Sequence, residues 1–315
     1  MQNESLTPLA ERARPSVAAA CVLVLISAAG LWLGSLLLPL FPVASPERAE
    51  LLGALLYYLP FNALPLAVCL LRRRGLSEGL RLNPMPLLPT LSVAFMAVLC
   101  VYGASAIDSL WVDLLGRIGL HEPWAGVEAA ASPQLLTMQV IASAAIPAVC
   151  EELLFRGAVL SAFEGRGTRF GIWVSAALFA LLHGNLFGLP AYLVVGAISG
   201  FIVYTLDSLY AGMLFHTVYN AAILVIVYLV SGQELPEQAA APVSPLAVAL
   251  DVLFVGLMVG FTLMTLNLRR RAAGIEPIPR TRIPYNRKER WLTGVTLAVL
   301  ILNNVVIQAL VEAGI

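Results

Sequence analysis

Three short segments of the sequence carry polar side chains that could do chemistry together. The first, EELLFR at 151–156, sets two glutamates and an arginine in an otherwise apolar stretch. The second, FALLH at 179–183, ends in His183, and the third, HTVYN at 216–220, has a histidine and an asparagine at its two ends. A carboxylate, two imidazoles and a carboxamide can activate a water molecule and stabilise negative charge on a carbonyl oxygen.

Helical spacing separates the two glutamates. Glu152 and Arg156 are four residues apart, so on a helix they share a face and form a favourable ion pair. Glu151 is rotated by about 100° from its neighbour and is free to point elsewhere. We expect Glu151 to be the reactive carboxylate and Glu152 to support it. His216 and Asn220 also share one face of their segment.

The segments belong to a chain with the composition of a membrane protein. Of its 315 residues, 59% are hydrophobic and only 12% are charged, whereas roughly 25% are charged in an ordinary soluble domain. The formal net charge is zero, which gives no basic field for nucleic acid. The four cysteines lie in apolar runs without CxxC spacing, which argues against a disulfide framework. We therefore expect an integral membrane protein with no nucleic-acid partner.

Apolar segments of about 20 residues are long enough to span a bilayer. Nine occur, near 17–41, 51–71, 86–107, 134–160, 170–188, 190–206, 209–231, 245–267 and 291–312. They predict an all-α fold, a polytopic transmembrane bundle of about eight to nine spans. We expect one integral membrane domain, 1–315, with a catalytic core at 134–231 and accessory transmembrane helices at 1–133 and 232–315.

Positive charges orient this predicted bundle. Of the 19 lysines and arginines, all but Arg48, Arg117 and Arg156 fall in loops on one side. By the positive-inside rule that side and the amino terminus are cytoplasmic, in what we expect to be a bacterial inner membrane. Counted from it at 1.5 Å per residue, the depths are roughly 18 Å for Glu151, 20 Å for His183 and 12 Å for His216. The polar groups of three helices should therefore meet near the middle of the membrane.

The order EExxxR, FxxxH, HxxxN resembles the CAAX-protease and bacteriocin-processing (abortive-infection, CPBP) family of intramembrane proteases, over about residues 134–231. The resemblance implies hydrolysis of a peptide bond within the membrane. Glu151 and His183 would activate the water, and His216 with Asn220 would stabilise the oxyanion. The charges would then lie in the membrane because the catalytic water needs a pocket shielded from bulk solvent. We expect that pocket to open toward the cytoplasm.

Supporting residues and a possible metal follow from the same motifs. Arg156 should hold Glu152, which is itself a candidate catalytic residue, and the ring of Phe179 should pack beside His183. We prefer a mechanism without a cofactor, since no HExxH motif is present. Zinc is the alternative. Its ligands would be Glu151, His183, His216 and Asn220.

Two other functions could use the same buried groups. A polytopic transporter would employ them as a proton relay or substrate site, and a catalytically inactive membrane scaffold would keep the fold alone. The order of the three motifs and the full set of catalytic residue types favour the protease. Its expected partners are the lipid bilayer and a membrane-anchored or lipidated protein or peptide substrate. A CAAX-like terminus, a bacteriocin leader and a carboxyl-terminal surface anchor all remain open as substrates.

Overall fold

The structure is a computed structural model that describes residues 15–41, 43, 45–59, 62, 67, 80–122, 127–231, 244–272, 274 and 284–313. The described residues form helices and connecting turns, with no strand. In chain order the helices are α1 Val17–Leu37, α2 Pro46–Tyr58, α3 Leu87–Arg117, α4 Pro133–Glu164, α5 Thr168–Leu182, α6 Leu189–Leu206, α7 Leu209–Val230, α8 Pro245–Ala272 and α9 Arg287–Glu312. The predicted all-α fold is confirmed.

Seven of these helices are long and apolar enough to cross a membrane, and α5 is a shorter apolar helix of 15 residues. The protein is an integral membrane protein. The predicted second span, 51–71, coincides with α2 only as far as Tyr58, and most of its remainder lies outside the described residues. Helix α3 extends ten residues beyond the predicted end at 107.

Polar residues just outside the apolar runs fix where several helices begin. The side chain of Ser16 accepts a hydrogen bond from Ala19 N at the start of α1, and Ser132 caps α4, which begins with Pro133. Such caps satisfy amide groups that have no partner within the helix, and proline at the first helical position loses no hydrogen bond. Helix α9 starts with a full capping box between Asn286 and Glu289.

Helix α4 carries the first motif and is not uniformly α-helical. Two stretches, Val140–Ala145 and Leu153–Leu160, have the wider π-helical winding. Glu151 and Glu152 end the α-helical stretch between them. Single π-helical turns interrupt α-helices mostly at functional sites, because the extra residue changes which side chains face one direction.

Ion pairs and hydrogen bonds join several helix ends at one end of the bundle. Arg81 pairs with Glu164 at 2.8 Å and with Asp207 at 3.0 Å, which links the start of α3 to the end of α4 and to the α6–α7 turn. Arg166 pairs with Glu289. We call this the arginine-rich end, and its described basic residues are Arg81, Arg166, Arg169, Arg269, Arg270, Arg271, Arg287, Lys288 and Arg290.

Two small-residue pairs in the sequence differ in the structure. A methyl group added at Gly196 would lie 3.0 Å from the Phe179 ring, and one at Gly200 would lie 3.0 Å from Ile172. These glycines therefore allow α5 and α6 to approach closely. Gly256 and Gly260 have nothing within 4 Å of the same position, so neither makes such a close helix contact among the described residues.

The accessory helices pack on two sides of the motif-bearing helices. Helix α9 packs on α1, and both contact α5. Helix α3 packs on α6, α7 and α8. Cys21, Cys100 and Cys150 are free and buried, as expected of small apolar residues, while Cys69 lies outside the described residues. Helices α4, α5 and α7 therefore bring their polar side chains together inside the bundle.

Candidate active site

The three motifs meet around one carboxylate oxygen. Glu151 Oε2 lies 3.8 Å from His216 Nε2 and 4.0 Å from His183 Nε2. The Glu151 side chain is 8% exposed, and this oxygen is buried without a hydrogen-bond partner among the described residues. Such an atom is costly unless a water, ion or ligand occupies the space beside it. The site thus has a carboxylate oxygen and two imidazole nitrogens around one gap.

The Nδ1 contacts of the two imidazole rings determine which ring nitrogen carries the proton. His183 Nδ1 is 2.8 Å from the carbonyl oxygen of Phe179, which can only accept, so Nδ1 carries the proton. His216 Nδ1 is 3.3 Å from Glu152 Oε1 and donates for the same reason. In the neutral rings both Nε2 atoms are then acceptors that face Glu151.

The predicted ion pair between Glu152 and Arg156 forms inside the bundle. The distance from Arg156 Nη1 to Glu152 Oε1 is 2.8 Å, and both side chains are at most 1% exposed. The hydroxyl of Ser199 donates to Glu152 Oε2 at 2.9 Å, and Arg156 Nη2 donates to the carbonyl oxygen of Gly196 at 2.7 Å. Glu152 is therefore held on both oxygens, and through Oε1 it holds His216.

Phe179 lies at the centre of the supporting contacts, as the sequence predicts. Its ring centroid is 4.6 Å from that of His183 and 5.6 Å from that of His216. The Arg156 guanidinium lies 4.7 Å from the same centroid, within cation–π distance. On its other side, His183 stacks on Tyr192 at 4.2 Å. Both imidazole rings are fixed by aromatic packing as well as by hydrogen bonds.

Tyr58 is part of the site although sequence analysis did not identify it. Its hydroxyl donates to Glu151 Oε1 at 3.0 Å, so one carboxylate oxygen is held while the other faces the histidines. Tyr58 is the last residue of α2, far from the three motifs in sequence. The only feature of the sequence that could have identified Tyr58 is a hydroxyl group within an apolar span. The neighbouring Tyr57 has the same feature, so it does not single out Tyr58.

One predicted position differs from the structure. His183 was expected inside a span at 170–188, but α5 ends at Leu182 and His183 is the first residue after it. The chain turns there because Gly184 adopts φ +65°, which side chains other than glycine rarely allow. Asn220 lies one turn after His216 on α7 and is half-buried. It makes no hydrogen bond to any of the described residues.

Two cavities reach the site. One, of about 360 Å³, is lined by His183 and by residues of α1 and α9; we call it the His183 cavity. The other, of about 490 Å³, is lined by Tyr58 and by residues of α2 and α4; we call it the Tyr58 cavity. Both touch Tyr57. The α4 residues of the Tyr58 cavity precede Glu151, so this cavity lies on the side away from the arginine-rich end, opposite to the expected cytoplasmic opening.

Gly212 leaves the space that Glu152 occupies. A methyl group there would lie 2.5 Å from Glu152 Oε2 and 2.6 Å from Val203 Cγ2. Because Glu152 is held by three partners, Gly212→Ala should lower the free energy of unfolding by about 1–3 kcal/mol. Thermal unfolding in detergent measures this. Gly256→Ala is the matched control, since that glycine has open space; equal losses in both variants would contradict the prediction.

Comparison with known proteins adds one finding to this geometry. Residues 133–222 match the family model described as "Type II CAAX prenyl endopeptidase Rce1-like". This segment is similar to that family. It begins with α4, ends within α7 and contains all three motifs, which confirms the resemblance to the CAAX-protease family. No curated protein and no solved structure matches the chain. The Rce1-like match supports, in general terms, an intramembrane endopeptidase of the CAAX-protease kind.

Proposed function

We propose that the protein is an intramembrane endopeptidase that cleaves a membrane-associated protein or peptide with a water molecule held by Glu151 and His183. One observation carries the proposal. Glu151 Oε2 is buried without a partner and faces two imidazole nitrogens at 3.8 and 4.0 Å. A water molecule fits between Glu151 Oε2 and either imidazole nitrogen. It would lie at a normal hydrogen-bond distance, about 2.7–3.2 Å, from both atoms.

Each group then has a role that its hydrogen bonds support. The water donates to Glu151 Oε2 and His183 Nε2, and its oxygen attacks the carbonyl carbon of the substrate. Glu151 takes one proton of the water and passes it to the amide nitrogen, so the C–N bond breaks and an acid and an amine are released. The tetrahedral oxyanion needs donors. His216 would provide one as an imidazolium, donating from Nε2 while Glu152 accepts from Nδ1, and Asn220 one turn away would provide the other.

A zinc ion in this gap would use the same three atoms. Zinc ligands lie about 2.0–2.2 Å from the metal, so two ligands of a tetrahedral site are about 3.4 Å apart. The separations of 3.8 and 4.0 Å are wider, and the part of the chain that the structure describes contains no group of three or more His, Cys, Asp or Glu that could hold a metal. The arrangement therefore does not fit zinc. Stoichiometric zinc in purified protein, lost together with activity on chelation, would contradict a metal-free mechanism.

The experiment that tests the function compares membrane-protein termini by mass spectrometry. Cells carrying the wild type or Glu151→Gln are compared at matched expression. New termini that depend on Glu151 would support proteolysis and identify the substrate at the same time. If the two cell lines have the same termini, the transporter and the scaffold become the better interpretations.

Replacing Tyr58 should lower the rate of cleavage by a smaller factor. Tyr58→Phe removes the hydrogen bond to Glu151 Oε1 and lets the carboxylate rotate away from the histidines. Loss of a hydrogen bond of about 1 kcal/mol should lower kcat roughly fivefold to tenfold with little change in KM. Initial rates on a substrate identified by its new termini measure this. Tyr210→Phe is the control, because Tyr210 lies at the start of α7, is 46% exposed and lines neither cavity; a similar fall in that variant would remove Tyr58 from the mechanism.

A further inference from the structure

The two cavities are lined by His183 and Tyr58, which face Glu151 or bond to it, and both lie on one side of that residue. In the Tyr58 cavity the α4 residues are Ala142, Ser143 and Pro147, all before Glu151 and thus farther from the arginine-rich end. The His183 cavity uses α1 from Ala28 to Ser35 and α9 from Asn303 to Val311. These are the later halves of two helices that begin at the arginine-rich end. Both cavities therefore extend toward the opposite end of the bundle, which we call the arginine-poor end.

Burial along α1 shows the same asymmetry. In its first half Val17, Ala20 and Val24 are fully buried. In its second half Trp32 is 39% exposed and Leu36 is 68% exposed. One face of α1 is thus packed near the arginine-rich end, although Val22 there is 52% exposed, and the largest exposure on the helix is at Leu36, in the half that borders the His183 cavity.

Helix α4 changes character at Glu151. From Leu154 to Glu164 every side chain is buried, and Arg81 pairs with Glu164 at the end of this stretch. Before Glu151, Ala142, Ser143 and Pro147 line the Tyr58 cavity, and Ile141 and Val149 are more than 40% exposed. Among the described residues the arginine-rich side of the site is packed and cross-linked, and the other side holds the cavities.

Tyr57 stands between the two cavities. It lines both of them, and its ring lies against α1 at Gly34, where an added methyl group would overlap the ring at Cδ1. The next residue, Tyr58, bonds Glu151, and His183 lines the other cavity. The two spaces therefore adjoin two neighbours of Glu151, Tyr58 in one cavity and His183 in the other. Their volumes fall in the range of about 300–1,000 Å³ that is usual for ligand sites.

We infer that the scissile bond reaches Glu151 from the arginine-poor side, which the positive-inside rule places outside the cytoplasm. The occupant is an extended segment of a membrane-anchored protein, next to its anchor on the non-cytoplasmic side. Residues before and after the scissile bond lie in the two cavities, with Tyr57 between them. The inference rests on the proposed proteolysis for its substrate, but the access route can be tested without it.

Cysteine labelling in intact cells tests the route. Ser143→Cys and Ala28→Cys place a thiol in each cavity, and a charged, membrane-impermeant thiol reagent reacts only where water reaches. Both variants should be labelled in intact cells above the background of the unaltered chain. Ile141→Cys, at similar depth on α4 but exposed outside both cavities, should stay at background, as expected of a side chain in contact with lipid. Lys288→Cys, at the arginine-rich end, should be labelled only after the membrane is permeabilised.

Each result decides the route. If the two cavity cysteines react only after permeabilisation, or remain at background throughout while Lys288→Cys reacts, the inference is overturned whether or not the protein is a protease. If they react in intact cells, the Glu151-dependent termini decide the substrate. Termini on non-cytoplasmic segments support the inference, and termini confined to cytoplasmic segments overturn it. Labelled cavities without any Glu151-dependent terminus leave the route standing but defeat the proposed function and the substrate with it.

Discussion

Glu151→Gln should abolish cleavage while the protein remains folded and inserted. The amide has nearly the shape of the carboxylate and can still accept from the Tyr58 hydroxyl, which lies 3.0 Å from Oε1. It cannot take a proton from the water. General-base catalysis contributes roughly 10²- to 10⁴-fold to a rate, so the residual rate should be lower by that factor. The measurement is the rate at which Glu151-dependent termini form, at matched protein levels in the membrane.

Glu128→Gln is the matched control for this variant, because Glu128 is an exposed glutamate in the loop before α4. It should cleave at the wild-type rate. The midpoint of thermal unfolding should be similar in both variants and the wild type. Retained cleavage in Glu151→Gln would remove Glu151 from the role of base. Lost cleavage together with lost protein would show a structural effect only, and Glu151→Asp, which keeps the charge but withdraws it from the histidines, would then separate the two causes.

Helical spacing and span depth predicted the arrangement of α4. Residues four apart share a helix face, so the pair Glu152–Arg156 followed from sequence alone and forms at 2.8 Å. Similar counts from the arginine-rich loops placed Glu151, His183 and His216 at comparable depth, and their side chains meet. Both are local properties of helices, and each depends only on residues within one span.

The contacts that the site receives from helices without any of the three motifs could not be predicted from the sequence. Tyr58 bonds Glu151 from α2, and Ser199 bonds Glu152 from α6, yet neither residue stands out from its apolar neighbours. Asp108 was also missed, because the third span was ended at 107 whereas α3 continues to Arg117. One of its carboxylate oxygens is buried without a partner among the described residues. Which face of a helix meets which neighbour depends on packing of the whole bundle, and one sequence does not encode that as a local pattern.

The direction in which the cavities extend from the site also could not be predicted from the sequence. The depths of the polar groups were counted from the arginine-rich side, and this gave an expected opening toward the cytoplasm. The side chains from Leu154 to Glu164 instead fill that side of the site. Because apolar residues in a span look alike whether they face lipid, core or cavity, hydropathy gave the position of the site but not its entrance.

The second large effect concerns Arg156. Arg156→Ala should lower the free energy of unfolding by about 3–5 kcal/mol, because it leaves the fully buried Glu152 without its counter-charge. The Ser199 hydrogen bond and the contact with His216 remain, but neither neutralises the carboxylate. Activity should fall as well, since Glu152 holds His216 Nδ1. Thermal unfolding and yield in detergent measure the first effect, and formation of Glu151-dependent termini measures the second.

A double variant separates charge from shape in this result. Glu152→Gln with Arg156→Met removes both charges and keeps similar volumes, and replacing a buried pair in this way is often neutral or stabilising. Its stability should therefore return toward that of the wild type, while activity stays low because a neutral amide at 152 no longer provides the negative charge that stabilises a protonated His216. If Arg156→Ala is as stable and active as the wild type, the ion pair has no part in holding the site. If the double variant regains stability and activity together, the pair is structural and His216 does not need Glu152 for the reaction.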